Sequence, residues 1–200
     1  RRQRQLCIRD RTLAVPGAVP FNTLPWKSQL HLALLVHRVD DLPPGLYLLV
    51  RDPAQTAVLQ QALTQADPWH KPPGCPEQLP LYCLIERETR AAARQISCQQ
   101  DIASDGCFSL AMLAEFSGPL ERYGPWFYPR LYWEAGMIGQ LLYLEAEAAG
   151  IRSTGIGCFF DDSMHEVLGL TDRCFQDIYH FTVGGAVDDP RLGTSAAYEE

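Results

Sequence analysis

The sequence predicts one domain, or most of one, in which helices and β-strands are mixed. Three stretches carry that expectation. Leu30 to Val39 and Leu46 to Arg51 are apolar runs joined by the turn Asp40-Asp41-Leu42-Pro43-Pro44-Gly45, the pattern of a β-hairpin. Trp126 to Ala149 reads as a long helix. Its middle, Ala135 to Leu144, holds a single polar side chain, Gln140, so nearly every face is apolar and needs cover. Asp177 to Gly184 reads as a closing strand.

The remaining elements follow in chain order. Leu6 to Arg11 resembles the translated sequence of a transposon sequencing adapter, so residues 1–11 read either as a non-native artefact or as a charged, disordered N-terminus. A domain over 12–192 and a weakly ordered tail over 193–200 complete the division. Thr12 to Ser28, with Pro16, Gly17, Pro20 and Pro25, reads as an irregular arm. Asp52-Pro53 opens a helix from Ala54 to about Gln65 on the apolar stripe Val58, Leu59, Ala62 and Leu63. Asp67 to Pro80, dense in proline, reads as a long loop. A second helix is expected from Glu88 to about Ala103, while Phe108 to Phe116 fits either a strand or a helix. Gly118-Pro119 and Gly124-Pro125 isolate a short helical turn. After the long helix, Gly150 is a stop, Arg152 to Phe159 a strand, and Asp161, Asp162 or Ser163 caps a short helix ended by Gly169.

Composition excludes several functions. With 46% hydrophobic and 20% charged residues, 200 residues can bury a substantial core. The net charge of −7, from 17 Lys and Arg against 24 Asp and Glu, lacks the basic face that nucleic acid requires. No apolar run reaches the length of a membrane-spanning helix. The seven cysteines form no Cys-x-x-Cys pair and follow no secretory signal, which predicts reduced thiols in the cytoplasm.

The order and spacing of several pieces carry a resemblance. Tyr132 to Ala146, then Gly150, then Thr154 to Asp162, then a short helix ending at Leu168-Gly169-Leu170, then Tyr179 to Gly185, together resemble the C-terminal half of nitroreductase-like flavoproteins. The likeness covers about Phe108 to Arg191 and points to the branch of SagB-type dehydrogenases of azoline-containing peptides. It implies an α+β, nitroreductase-like fold with a mixed or antiparallel central sheet flanked by helices. The long helix would lie at a homodimer interface, FMN would sit between subunits, and NAD(P)H would be the electron donor. Hydride would pass from nicotinamide to flavin and then to an organic acceptor, small molecule or peptide. The flavin supplies the redox chemistry and the protein orients and tunes it.

Carried over by position, Gly155, Ile156, Gly157 and Cys158 would face the flavin ring, glycine permitting close approach. The plainer reading of Gly155 and Gly157 is a bulge or crossing point in the sheet. Arg191 falls where the family places a basic residue on the FMN phosphate, a contact suited to guanidinium; its plain alternative is a solvated partner of Asp188 and Asp189. The family's N-terminal Arg-Arg-Ser-x-Arg-like motif is not matched, because Arg1-Arg2-Gln3-Arg4 lacks the serine. Either the chain is a fragment, or another half of a longer protein supplies those contacts. The azoline branch places a Lys-Tyr pair just before the long helix. Here Arg122-Tyr123 stands in its place, leaving Tyr123 as the one candidate catalytic residue beside its plainer role as a packed surface aromatic.

Other constellations are weaker. Cys158 with Asp161 and His165 suggests a thiol nucleophile without an orienting partner. Ser97 to Asp101 reads as a pocket lining or an exposed face. Cys75 with Cys83, and His31 with His37, lack zinc spacing, so no metal is expected. His180 reads as a hydrogen-bonded core residue. Two function classes therefore stand: an FMN-dependent oxidoreductase, and a catalytically inactive nitroreductase-like domain kept for dimerisation or as half of a tandem protein.

Overall fold

The computed structural model describes residues 19–65, 68–187 and 189–191, with 193, 195, 197 and 198 of the tail. Residues 1–11 and the first part of the arm, 12–18, lie outside the described residues. The strands are β1 (Leu30–Val36), β2 (Gly45–Leu49), β3 (Leu81–Ile85), β4 (Phe108–Glu115), β5 (Arg152–Ile156) and β6 (Phe175–Gly184). They form one sheet in the order β3-β2-β1-β4-β6-β5, antiparallel at every pairing. The fold is α+β, as expected, and its sheet is wholly antiparallel.

Strand periodicity divides the core into two faces. On β1, Leu30, Leu32, Leu34 and Val36 join one cluster and Ala33 and Leu35 the other, with every β1 residue buried. The first face is covered by the long helix α5 (Tyr128–Ala148) through Leu131, Ala135, Ile138, Leu142 and Ala146. The opposite face is covered by α1 (Thr56–Ala62), α2 (Arg90–Ile96), α3 (Ile102–Asp105) and α6 (Asp161–Leu168), which contribute Leu59, Ala93, Ile96, Ala103, Met164 and Leu168. Being buried on both sides, β1 has no alternation of polarity to show.

Several boundaries differ from the sequence expectation, each for a local reason. The first helix is shorter: Pro53–Gln55 is a 3₁₀ turn and α1 ends at Ala62. The helix expected over 88–103 is two, α2 and α3, because Cys98 and Gln99 take positive φ (54° and 62°) and break the ladder at the polar run. Phe108–Glu115 is a strand, paired on both sides. The short turn after it is α4 (Ser117–Tyr123). Strand β3 was hidden by the proline-rich stretch before it. β5 stops at Ile156 instead of Phe159, and β6 begins two residues early at Phe175. No side chain caps α6, whose N-cap is Phe160. Gly150 and Gly169 end α5 and α6 at φ 72°, as their sequence positions suggest.

The cover around α5 is incomplete. Trp133, Tyr143 and Leu144 are 55%, 42% and 56% exposed, and Gly136 and Gln140 lie on the same outward face. The two α5 glycines do different things. Gly139 admits the ring of Phe181, whereas Gly136 faces open space.

Candidate functional site

Beyond the end of β5, the sheet, α5 and α6 leave a cavity of about 850 Å³. β5 pairs with β6 only as far as Ile156 opposite His180, so the earlier part of β6 is not covered by it. Tyr128 and Tyr132 come from the first turns of α5, Gly157 and Phe159 from the β5–α6 connection, and Asp177 and Ile178 from β6. The tyrosine hydroxyls are hydrogen-bonded to each other at 2.9 Å, and burial, aided by that bond, pushes Tyr132 up to about 12.

Asp177 is the buried acid of this cavity. Its Oδ2 lies 2.5 Å from Nε2 of His180, and its backbone N–H donates to Nε2 of His165 at 3.0 Å. Its Oδ1 has no hydrogen-bond partner among the described residues. Burial raises the Asp177 carboxyl above the usual carboxylate range, against the opposing pull of His180. His180 is thus a hydrogen-bonded core residue, stacked on Phe159 at 4.4 Å between ring centroids. Asp161, Asp162, Glu166 and Asp172 also line the cavity, with Arg173 as its one arginine among the described lining residues.

The residues proposed for a flavin are separated by the structure into different roles. Gly155 is spent on packing: the Tyr179 hydroxyl occupies the space a side chain would need, and the Gly155 N–H donates to the Tyr143 hydroxyl at 3.0 Å. Ile156 is buried in the core on the α6 side. Gly157 lines the cavity, and a Cβ there would meet nothing within 4 Å. Cys158 is exposed, and its carbonyl accepts from Nε2 of Gln100 at 3.0 Å, which ties the α2–α3 break to this connection. Arg191 is not among the cavity residues. It is exposed and forms a bidentate pair with Asp189, with distances of 2.9 to 3.1 Å from Nε and 2.6 Å from Nη2. Tyr123 is 42% exposed and stacks on Phe127 at 4.8 Å.

The other expected constellations resolve simply. His31 accepts from the Arg51 N–H at 3.2 Å, and His37 bonds the Ala103 carbonyl at 3.0 Å, so the two histidines serve different contacts. His165 accepts from the Asp177 backbone N–H at Nε2, at 3.0 Å. Sequence reasoning missed Asp177, Tyr132 and Arg173. An acid inside the apolar closing strand was the available signal for Asp177; Arg173 carried none.

The fold is that of the nitroreductase class. The chain belongs to the nitroreductase family, whose model, described as "Nitroreductase family", matches residues 53–185. A search of curated proteins returns no match. Among solved structures, a protein of Anabaena variabilis ATCC 29413 described as a candidate nitroreductase is 20% identical with a TM-score of 0.67; the match covers 91% of this chain and 33% of that one. The E. coli microcin synthetase McbBCD complex with truncated pro-MccB17 bound is 16% identical, TM-score 0.61, over 92% of this chain and 64% of that one. A comparable protein of Ralstonia eutropha JMP134 is 16% identical, TM-score 0.52, over 82% and 60%. At these identities the likeness is one of fold. The chain spans a third of the first of these and less than two thirds of the other two. Among the described residues, no helix is long and apolar enough to cross a membrane.

Proposed function

We propose that this chain is an FMN-dependent oxidoreductase of nitroreductase type that works as a homodimer and passes hydride from NAD(P)H or a reduced substrate to an organic acceptor. The observation that carries this reading is the family match over 53–185 together with a cavity placed where the β5–α6 connection opens at Gly157. When bound, the flavin would supply the hydride chemistry. The residues present suit its ring better than its phosphate. Gly157 gives an unobstructed backbone and Tyr128, Tyr132 and Phe159 give aromatic walls, but the acids outnumber Arg173. Arg191, paired with Asp189, would have to exchange that partner to reach a phosphate.

The exposed face of α5 supports the dimer, since an apolar stripe of Trp133, Tyr143 and Leu144 on a helix needs a partner. A peptide acceptor, and the azoline branch with it, is supported by the resemblance of the C-terminal half and by the likeness to the microcin synthetase complex. Arg122 in place of the lysine argues against azoline oxidation itself, because a guanidinium is no base near neutral pH. A second reading, a catalytically inactive nitroreductase-like domain kept for dimerisation or as half of a tandem protein, is favoured by the acidic cavity.

Titration of the purified full-length gene product with FMN tests the choice. Quenching of flavin fluorescence with saturation at one FMN per chain supports the enzyme; an unchanged emission in a folded, dimeric protein supports the inactive domain. Leu144→Glu separates the dimer from the fold. Far-ultraviolet circular dichroism should be retained while sedimentation moves to the monomer, and an unaltered dimer would remove α5 from the interface.

A further inference from the structure

At the far edge of the sheet from the cavity, three ligand-type side chains converge. His70 faces Cys83 across an isolated antiparallel bridge, with the His70 N–H donating to the Cys83 carbonyl at 3.4 Å and the Cys83 N–H to the His70 carbonyl at 2.8 Å. Residues opposed in such a bridge project to the same side. β3 then carries a register shift. Leu46 pairs with Ile85 but Tyr47 pairs with Cys83, and Leu84 and Ile85 both join the core on the α6 side. The bulge returns Glu86 to the side of Cys83 and Tyr47, where straight alternation would have put Ile85. One ligand atom from each of His70, Cys83 and Glu86 lies within 4.8 Å of the other two.

We propose that His70, Cys83 and Glu86 form a zinc site that clamps the proline-rich segment 68–80 to the edge strand β3. Sulfur, imidazole nitrogen and carboxylate oxygen together suit zinc, and three protein ligands leave a fourth position for water. Ligand atoms of a tetrahedral zinc site stand about 3.3–3.8 Å apart, given bonds of about 2.0–2.3 Å. The remaining movement falls on His70 and Glu86, which are exposed, while Cys83 is buried and fixed.

The surroundings fit this occupant. Nδ1 of His70 lies 3.4 Å from the Pro68 carbonyl; a proton there leaves Nε2 for the metal. The Tyr47 hydroxyl, which donates to the Pro43 carbonyl at 2.7 Å, is also hydrogen-bonded to the Cys83 sulfur. It can turn to donate to the thiolate once zinc displaces the thiol proton to solvent. Lys71, the nearest cation in sequence, is turned away onto Glu77 at 2.9 Å. The sequence offered Cys83 only Cys75 as a companion; its actual neighbours come from a bridge and a bulge that spacing does not encode.

Cobalt(II) added to the full chain tests the site, because a bound thiolate gives cobalt a near-ultraviolet charge-transfer band. The band should appear at one equivalent and be abolished by zinc. Cys83→Ser should remove it, and His70→Ala and Glu86→Gln should each weaken cobalt binding at least tenfold, on the order of the effects seen around zinc ligands. Cys158→Ser and Cys174→Ser should leave it intact. Since Cys83 is buried, the two exposed variants decide the matter if Cys83→Ser fails to fold. Absence of the band in the folded wild type, or a band undiminished in both His70→Ala and Glu86→Gln, overturns the proposal.

Discussion

Arg51 and Glu134 form an ion pair with neither side chain exposed. It joins the end of the β1–β2 hairpin to the second turn of α5, and Glu134 Oε1 also accepts from the Ser28 hydroxyl at 2.5 Å. Burial disfavours the charged guanidinium and Glu134 offsets that cost. Glu134→Ala removes the carboxylate that offsets the buried guanidinium and should lower unfolding free energy by about 3–5 kcal/mol. Urea denaturation measures it. Replacing both residues by methionine should recover most of the loss, and a double variant as unstable as the single one would show that the pair is not the cause.

Gly155 and Gly157 should respond differently to the same substitution. Gly155→Ala drives a methyl group into the Tyr179 hydroxyl and should cost about 1–3 kcal/mol, as overpacking does. Tyr179→Phe, by removing that oxygen, should relieve most of it. Gly157→Ala should leave the melting temperature unchanged and weaken FMN binding. Equal loss of stability at the two positions would contradict the separation of roles.

His37 gives stability a pH dependence. Desolvation holds its imidazole below the ordinary value of 6.5, against the raising effect of its bond to the Ala103 carbonyl. Below pH 6.5 the unfolded chain takes a proton that the native His37 refuses, so stability is present above that pH and falls as pH drops towards the folded value. The slope from this one group is bounded by about 1.4 kcal/mol per pH unit, the limit set by one proton. Chemical denaturation from pH 7.5 to 5.5 should show it, and His37→Gln should flatten that part of the curve.

What could be read from the sequence followed periodicity and punctuation. The hairpin, the long helix, the Gly150 and Gly169 stops and the closing strand each carry a local signal, and each stands close to its expected place. The failures are where tertiary contacts decide. Cys98 and Gln99 break a helix that propensity would continue, and the Gln100 amide beside the break donates to the Cys158 carbonyl. Of the positions proposed to face a flavin, only Gly157 lines the cavity. Alternation alone could not separate it from Gly155, since both lack a side chain and what differs is the presence of Tyr179.

The strand order has a consequence for how this protein can be divided. The family match begins at Pro53, yet β1 and β2, which precede it, occupy the inside of the sheet between β3 and β4. A segment trimmed to 53–185 would lose Arg51 along with both strands. β3 and β4 would be left as two unpartnered edges on opposite sides of a gap. The boundary drawn by sequence similarity therefore cuts through the folding unit, and an expression fragment designed on it should be insoluble.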